Sequence, residues 1–304
     1  MSLHEVLLAT RDLILESPNL PTTVAERLLF IRNHFPKLSP AERADFAQIE
    51  PARWQIYTKS IFIGERELLK KRFPLTFALL SRHYEAVLGK PFRPYDFVFE
   101  LSHKRPWRTN KNLEFFSNFR DHITYDFPEF TTQLPYLSEV VQLELDRYQL
   151  LRHISETFHV RENLSIDQIR ELTVDELLGL KVIINPAQVV RKFHFDIPRY
   201  FAQFRDAQDT LPAMSPHERS LEETTYAVGC RNGELRVRWC WVSEGTQKFF
   251  EKCTAENKSS APIAELTESF LAHTSFPSDE ARAFEAFMAE LMRLKQAEIL
   301  ALIP

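Results

Sequence analysis

The sequence predicts an α+β fold in two parts. An irregular helical bundle is expected over residues 1–180, followed over 181–304 by a small domain with a three-stranded antiparallel sheet and three helices. Three observations predict it. Apolar residues recur three and four apart from the N-terminus to about residue 178, the period of an amphipathic helix. After Gly179 the chain turns β-branched and aromatic, which suits strands. Asn232-Gly233 then stands between two alternating stretches; it is a strong hairpin signal because both central residues of a type I′ turn need positive φ.

In the first part, helical spacing is clear over Val24–His34, Ala52–Phe73 and Tyr136–Thr157, and the prolines at 18, 21, 36, 40, 51, 74, 91, 94 and 106 break the pattern between segments. "SIDQIRELTVDELLGL" holds two short helices, the first opened by Ser165 and the second by Thr173 with Glu176 three residues on, a capping box. In the second part, Val190–Phe195 can be extended, "SLEETTYAVGC" and "ELRVRWCWV" flank the turn, and helices are expected near Glu244–Thr254, Ala261–His273 and Ser278–Leu302. Ser278, just after Pro277, is the cap of the last.

The 304 residues are 44% hydrophobic and 26% charged, an ordinary globular balance. A net charge of -4 provides no general attraction to phosphate backbones or anionic membranes, so a nucleic-acid partner would need a strongly local basic patch. The opening residues carry Glu5, Arg11 and Asp12 among apolar ones, unlike a signal peptide, and no apolar run is long enough to span a membrane. A cytoplasmic protein is the expectation. Cys230, Cys240 and Cys253 form no CxxC pair, and reduced thiols are expected. The six glycines build neither GxGxxG nor GxxxxGKS, which argues against a nucleotide-binding α/β enzyme.

With Asn232 and Gly233 as the two turn residues, Cys230 faces Leu235, Val228 faces Val237, Tyr226 faces Trp239 and Thr224 faces Trp241 on a core side. Arg231 faces Glu234, Gly229 faces Arg236, Ala227 faces Arg238 and Thr225 faces Cys240 on the other, a shallow cationic surface. Cys230 and Cys240 then lie on opposite faces and form no disulfide.

Candidate chemistry is sparse. Glu156 and His159 in "HISETFH" have Glu-x-x-His spacing, with His153 nearby, but a carboxylate-bridged metal site needs a second such motif and none occurs; the segment reads as a polar helix face. His194 beside Asp196 reads as a rim residue of a strand, and no GxSxG-type nucleophile setting is present. "HKRPWRTNK" groups Lys104, Arg105, Arg108 and Lys111 around Trp107 without an acid, able to hold single-stranded nucleic acid or an acidic peptide, or simply to be a solvated loop. Phe284, Phe287, Met288 and Leu291 form a helical stripe that packs in the core, with one edge free to line a groove.

Four stretches taken in order, "RWQIYTKSIFIGERELLKKRFPLTFALLS", "FPEFTTQLPYLSEVVQLELDRY", "INPAQVVRKFHFDIPRYF" and "YAVGCRNGELRVRWCWVS", resemble the partner proteins of multinuclear non-haem iron-dependent oxidative enzymes. That family includes the methanobactin and bufferin biosynthesis partner subunits and partners of thia-amino-acid-forming enzymes. The resemblance runs over about residues 50–260 and is carried by Arg53/Tyr57, Phe73/Pro74, Phe127/Pro128/Phe130, Tyr136/Leu137/Leu143/Glu144 and Arg231/Val237/Arg238/Trp239. The first 50 residues and "FRPYDFVFELSHKRPWRTNKN" depart from it.

The resemblance implies a non-catalytic subunit that pairs with an iron enzyme and presents the leader of a ribosomally made precursor peptide for cysteine modification. It implies no cofactor in this chain, the iron lying in the partner enzyme. The leader would add as a strand beside the third strand and against the last helix of a winged-helix-like recognition module. The implied peptide-binding residues are Leu235, Arg236, Val237, Arg238 and Cys240 on the strand and Phe284, Phe287 and Met288 on the helix, with the helical half docking on the enzyme. The rival expectations are a DNA-binding regulator, disfavoured by the acidic balance of the last helix, and a self-sufficient metalloenzyme.

Overall fold

The computed structural model describes residues 21, 23–34, 36, 38–105, 112–152, 158, 160–213, 215–216, 225–231, 236–273 and 280–304. Among them are fourteen α-helices, one π-helical turn and six strands in two antiparallel three-stranded sheets, a mixed α+β protein. The chain forms two compact units, residues 1–145 with 207–211 and residues 146–206 with 212–304.

The first unit is helical: α1 (Val24–His34), α2 (Pro40–Ala47), α3 (Pro51–Arg72), α4 (Pro74–Leu88), α5 (Pro94–Lys104), α6 (Asn112–Asp121), α7 (Pro128–Gln133) and the start of α8 (Leu137–Arg152). The prolines that interrupt the apolar period turn out to start helices. Pro40, Pro51, Pro74, Pro94 and Pro128 each stand in a first turn, where the missing N–H has no intrahelical partner to lose. Ser39 and Glu42 close a capping box on α2.

Phe73 and Glu144 organise the junction of α3 and α4. Phe73 ends α3 and begins α4. Buried Glu144 of α8 accepts from Leu75 N at 2.9 Å, Thr76 N at 3.0 Å and Thr76 Oγ1 at 2.6 Å, so its carboxylate answers the positive end of the α4 dipole. Around them lies an aromatic core in which Phe73 meets Phe116 and Phe119, and Phe97 meets Phe127 and Tyr84.

A π-helical turn, His122–Asp126, prolongs α6. Arg105 at the end of α5 grips Asp126 with two bonds of 2.8 and 2.9 Å, and fully buried His122 shares the carboxylate through Nδ1 at 2.7 Å. Burial holds His122 below its ordinary range, hence neutral. The Arg105 hydrogen bond, seconded by His122, lowers the pKa of Asp126 to about 2. A carboxyl depressed in the folded state adds stability above its unfolded pKa of about 3.9 and loses it as pH falls toward the folded value; the shift is worth about 2 kcal/mol. Asp126→Asn is therefore expected to be less stable than the parent by about that much at pH 7 in urea unfolding, with the gap closing between about pH 4 and pH 2. A gap that stays constant with pH would contradict this.

The second unit begins with the end of α8, followed by α9 (Ile166–Arg170) and α10 (Val174–Leu178), each opened by the capping box that the sequence predicts at Ser165 and Thr173. One sheet has the order β5-β1-β6, with β1 (Lys181–Ile184) between β5 (Ser260–Pro262) and β6 (Leu300–Ile303). The other has the order β2-β3-β4, from β2 (Gln188–Phe193), β3 (Thr225–Arg231) and β4 (Val237–Val242). Four helices complete the unit: α11 (Ile197–Asp206), α12 (Glu244–Ala255), α13 (Ile263–Ala272) and α14 (Glu280–Gln296).

Three expectations are corrected. A second sheet exists, because α14 stops at Gln296, Glu298 takes a left-handed φ of 58°, and the apolar run after it pairs with β1. A helix, α11, starts at Ile197 with Pro198 in its first turn where none was expected, burying Ile197, Tyr200, Phe201 and Phe204. The hairpin register also differs. Arg231 pairs with Val237, Gly229 with Trp239 and Ala227 with Trp241, so five residues separate the first pair, not two; Asn232-Gly233 lies outside the described residues.

An odd shift of register exchanges the faces of one strand. Val228, Cys230, Cys240 and Val242 now share the core side, while Trp239 and Trp241 lie on the opposite face with Phe193 and Arg191. The small thiols suit the crowded side, where Cys230 Sγ reaches the Ala297 carbonyl at 3.0 Å beyond α14. Cys230 and Cys240 are thus on one face rather than two. Both are free, and burial pushes their thiols up to about 12 and about 11, which leaves them unreactive.

Candidate functional site

The tryptophan face of the β2-β3-β4 sheet carries a half-buried ion pair. Arg191 on β2 donates Nε and Nη2 to Asp146 of α8 at 2.6 and 2.7 Å, and the Asp146 side chain has no exposed surface. The bidentate bond keeps Arg191 charged. Beside it, buried Phe193 meets Trp239 and Trp241 edge to face, with centroids at 5.6 and 6.1 Å. Trp239 also lies flat over Gly229: a Cβ there would stand 2.9 Å from the indole. A glycine at this position is what lets the ring approach the strand.

In front of these rings opens a groove of about 790 Å³, walled by α8 and α11 and floored by Val237, Trp239 and Trp241. Arg147, Arg199, Arg205, Arg236 and Asp206 are the charged side chains among the described residues that line it. The guanidinium of Arg147 sits 5.6 Å from the Phe201 ring, a cation–π contact that orients it. The apolar period of α11 at 197, 200, 201 and 204 is what turns Arg199 and Arg205 outward, and both are exposed.

β4 is the edge of its sheet: among the described residues no strand pairs with its outer side. Arg231 donates its N–H to Ala187, on the β2 side of β3. In an antiparallel ladder the main-chain direction alternates, so Arg231 and its partner Val237 turn away from each other, and the outward direction recurs at Trp239 and Trp241. At the far end Ser243 has the same parity, and its N–H is taken by the Glu290 carboxylate at 3.0 and 3.1 Å. The outer edge is therefore closed by α14 at Ser243 and offers main-chain groups at Val237 and Trp239.

The chain matches no known family model, no curated protein and no solved structure. What this site does rests on its geometry. Of the residues expected to bind a peptide, Arg236 and Val237 line the groove, while Leu235 lies outside the described residues. Arg238 is exposed on the opposite face from Trp239, its Nη1 3.5 Å from the Gln296 carbonyl, and Cys240 is buried; the expected shared face for Arg236 and Arg238 is not formed.

The helix partners are also displaced. Arg238 meets Gln296 and Ser243 meets Glu290, so α14 runs antiparallel to β4 and its stretch 290–296 is the part alongside. Phe284, Phe287 and Met288 continue past the end of the strand. Phe287 is 2% exposed against Phe270, and Phe284 and Met288 are half-buried on the same core. The groove lies on the other face, beside Arg147, Arg199 and Arg205, which the sequence reading missed because they stand on two helices far from β4 in sequence.

Of the other candidates, Glu156, His153, His159 and Trp107 lie outside the described residues. His194 is exposed in a bend after β2, and Arg105 is engaged with Asp126. Among the described residues no group of three or more His, Cys, Asp or Glu side chains is placed to hold a metal, and no helix is long and apolar enough to cross a membrane.

Proposed function

We propose that this chain is a non-catalytic partner subunit that captures the leader of a ribosomally made precursor peptide as an added strand on β4 and presents it to an iron-dependent oxidative enzyme for cysteine modification. One observation carries the reading: β4 is a sheet edge with outward main-chain groups at Val237 and Trp239, beside a groove. An edge of this kind accepts an extended peptide through backbone hydrogen bonds, while neighbouring side chains select among sequences. The β2-β3-β4 sheet followed by α12, α13 and α14 would be the winged-helix-like recognition module, the helical unit would dock on the enzyme in a heterodimer, and the iron would belong to the enzyme.

The test is titration of a ribosomally made, cysteine-containing precursor peptide, followed by fluorescence polarisation. The Val237 amide turns outward, so Val237→Pro removes a docking donor without touching the β3–β4 ladder, and proline is tolerated on such an edge. Val237→Pro is expected to weaken binding by about tenfold or more, while Val237→Ala stays within about twofold of the parent. Equal affinities for the parent and the proline variant would refute strand addition at β4.

A further inference from the structure

From the outer face of α3 we infer that two copies of this chain dimerise through antiparallel α3 helices, about a two-fold axis at Ser60. The inference goes beyond the proposed function and does not rest on it. Helix α3 buries Trp54, Thr58, Phe62, Glu65 and Leu69 in its own unit. At about 3.6 residues per turn, Arg53, Ile56, Ser60, Ile63 and Glu67 fall within about 80° of one another on the opposite side, and all five are exposed. Large apolar surface is left there: Ile56 is 63% exposed, Ile63 46%, and Tyr57 at the margin of the face 55%.

Two small residues suit this face to another helix. Gly64 stands in the middle of α3, where glycine costs about 1 kcal/mol relative to alanine, and nothing comes within 4 Å of a Cβ there. Packing in its own unit gives no reason for the glycine; a ring laid on it from outside does. Ser60 donates its hydroxyl to the Ile56 carbonyl at 2.9 Å, so it can be covered without leaving a polar group unpaired.

The occupant follows from the order of residues about Ser60. A two-fold axis there, perpendicular to two antiparallel helices, sets each residue against one about equally far beyond Ser60 on the partner and on the same side of the face. Ile56 then meets the partner's Ile63, Tyr57 covers the partner's Gly64, and Arg53 faces the partner's Glu67, each contact occurring twice. Within one chain Arg53 reaches Glu50 only at 3.8 Å and Glu67 meets the neighbouring Arg66; these surface contacts are worth little, so pairing across the dimer sacrifices no buried bond. Parallel helices would set Arg53 against Arg53 and Glu67 against Glu67, and like charges oppose that arrangement. One helix pair buries less than a standard interface of about 1,600 Å², so the dimer is weak, with a Kd on the order of 10 µM, and dilute chain is monomeric.

The test is sedimentation velocity of the full chain from about 1 to about 200 µM, in which the 35.7 kDa species is expected to give way to one of twice that mass. Ile56→Glu sets a carboxylate against the partner's Ile63 and should weaken dimerisation by about tenfold or more. Its exposed position leaves the fold intact, checked by an unchanged circular dichroism spectrum. Gly64→Gln fills the space under the partner's Tyr57 and should act in the same direction. Arg53→Glu and Glu67→Arg should each weaken the dimer by a few-fold. Combined in one chain they should restore it, because the exchanged charges are complementary again only between antiparallel helices.

A chain that stays monomeric at about 200 µM would overturn the inference. A dimer unaffected by Ile56→Glu would lie on another surface and overturn it as well. A combined charge variant no better than the single ones would overturn the antiparallel register. Val237→Pro should leave the dimer unchanged, so failure here and failure of strand capture are read separately.

Discussion

Gly245→Ala is expected to destabilise the second unit by about 3 kcal/mol, at the upper end of the usual cost of overpacking. Gly245 is in the first turn of α12, and a Cβ there would fall 2.2 Å from the Ser269 carbonyl oxygen and 2.6 Å from the Phe270 Cα. Both atoms are backbone of α13, so no side chain can swing aside; the helices would have to separate. The close approach is sealed by Ser269 Oγ donating to the Gly245 carbonyl at 2.8 Å. Gly64 is the internal control. It lies in the middle of α3 with nothing within 4 Å of a Cβ, and Gly64→Ala should stabilise by about 0.5–1 kcal/mol through helix propensity. Denaturant unfolding of the two variants should move in opposite directions; a shared direction would contradict the packing described.

Asp146→Asn is expected to cost about 3 kcal/mol and to weaken peptide capture as well. Removing one member of a buried ion pair costs about 3–5 kcal/mol because the other charge is left uncompensated. Here the Arg191 side chain keeps 38% of its surface, so water can recover part of the loss, which places the cost at the lower end of that range. Functionally, this pair ties α8, with Arg147 one residue further on, to the tryptophan face of the sheet. Thermal unfolding would read the stability loss. Intrinsic tryptophan fluorescence should shift in the same variant, since Trp239 and Trp241 share the Arg191 face; an unshifted spectrum with parental stability would contradict the anchoring role.

Much of the helical architecture is legible in the sequence because its signals are local. Val24–His34 is a helix over its full predicted length, Ser165 and Thr173 cap the helices they announce, and Ser243 caps the helix expected at 244. Prolines were legible as punctuation, and the structure adds that several of them start helices. The hairpin was legible as a hairpin, but its register was not. Asn-Gly is a local preference, whereas the pairing of Arg231 with Val237 lets two indoles settle over Gly229 and Phe193 and sends two thiols to the core, a choice made by contacts far apart in sequence. The same holds for β6, whose Leu300–Ile303 run continues a helical pattern and becomes a strand only because β1 offers an edge.

The candidate site was legible in part. Arg236 and Val237 follow from the hairpin itself. Arg147, Arg199 and Arg205 come from α8 and α11, and no spacing in the sequence joins them to β4. Their convergence depends on the Asp146–Arg191 pair and on the burial of the apolar side of α11. Conversely, the Phe284–Phe287–Met288 stripe looked like a groove edge because helical spacing alone does not tell which end of α14 lies beside the strand.

Amide hydrogen exchange at Val237 and Trp239, followed in the full chain with and without saturating precursor peptide, reads strand capture at β4 directly. A peptide paired along β4 takes those outward N–H groups into hydrogen bonds, so their exchange should slow by about tenfold or more, while Arg238 and Cys240, whose main-chain groups face β3, change little. Saturated peptide with unchanged exchange at Val237 and Trp239 would contradict strand capture at this edge.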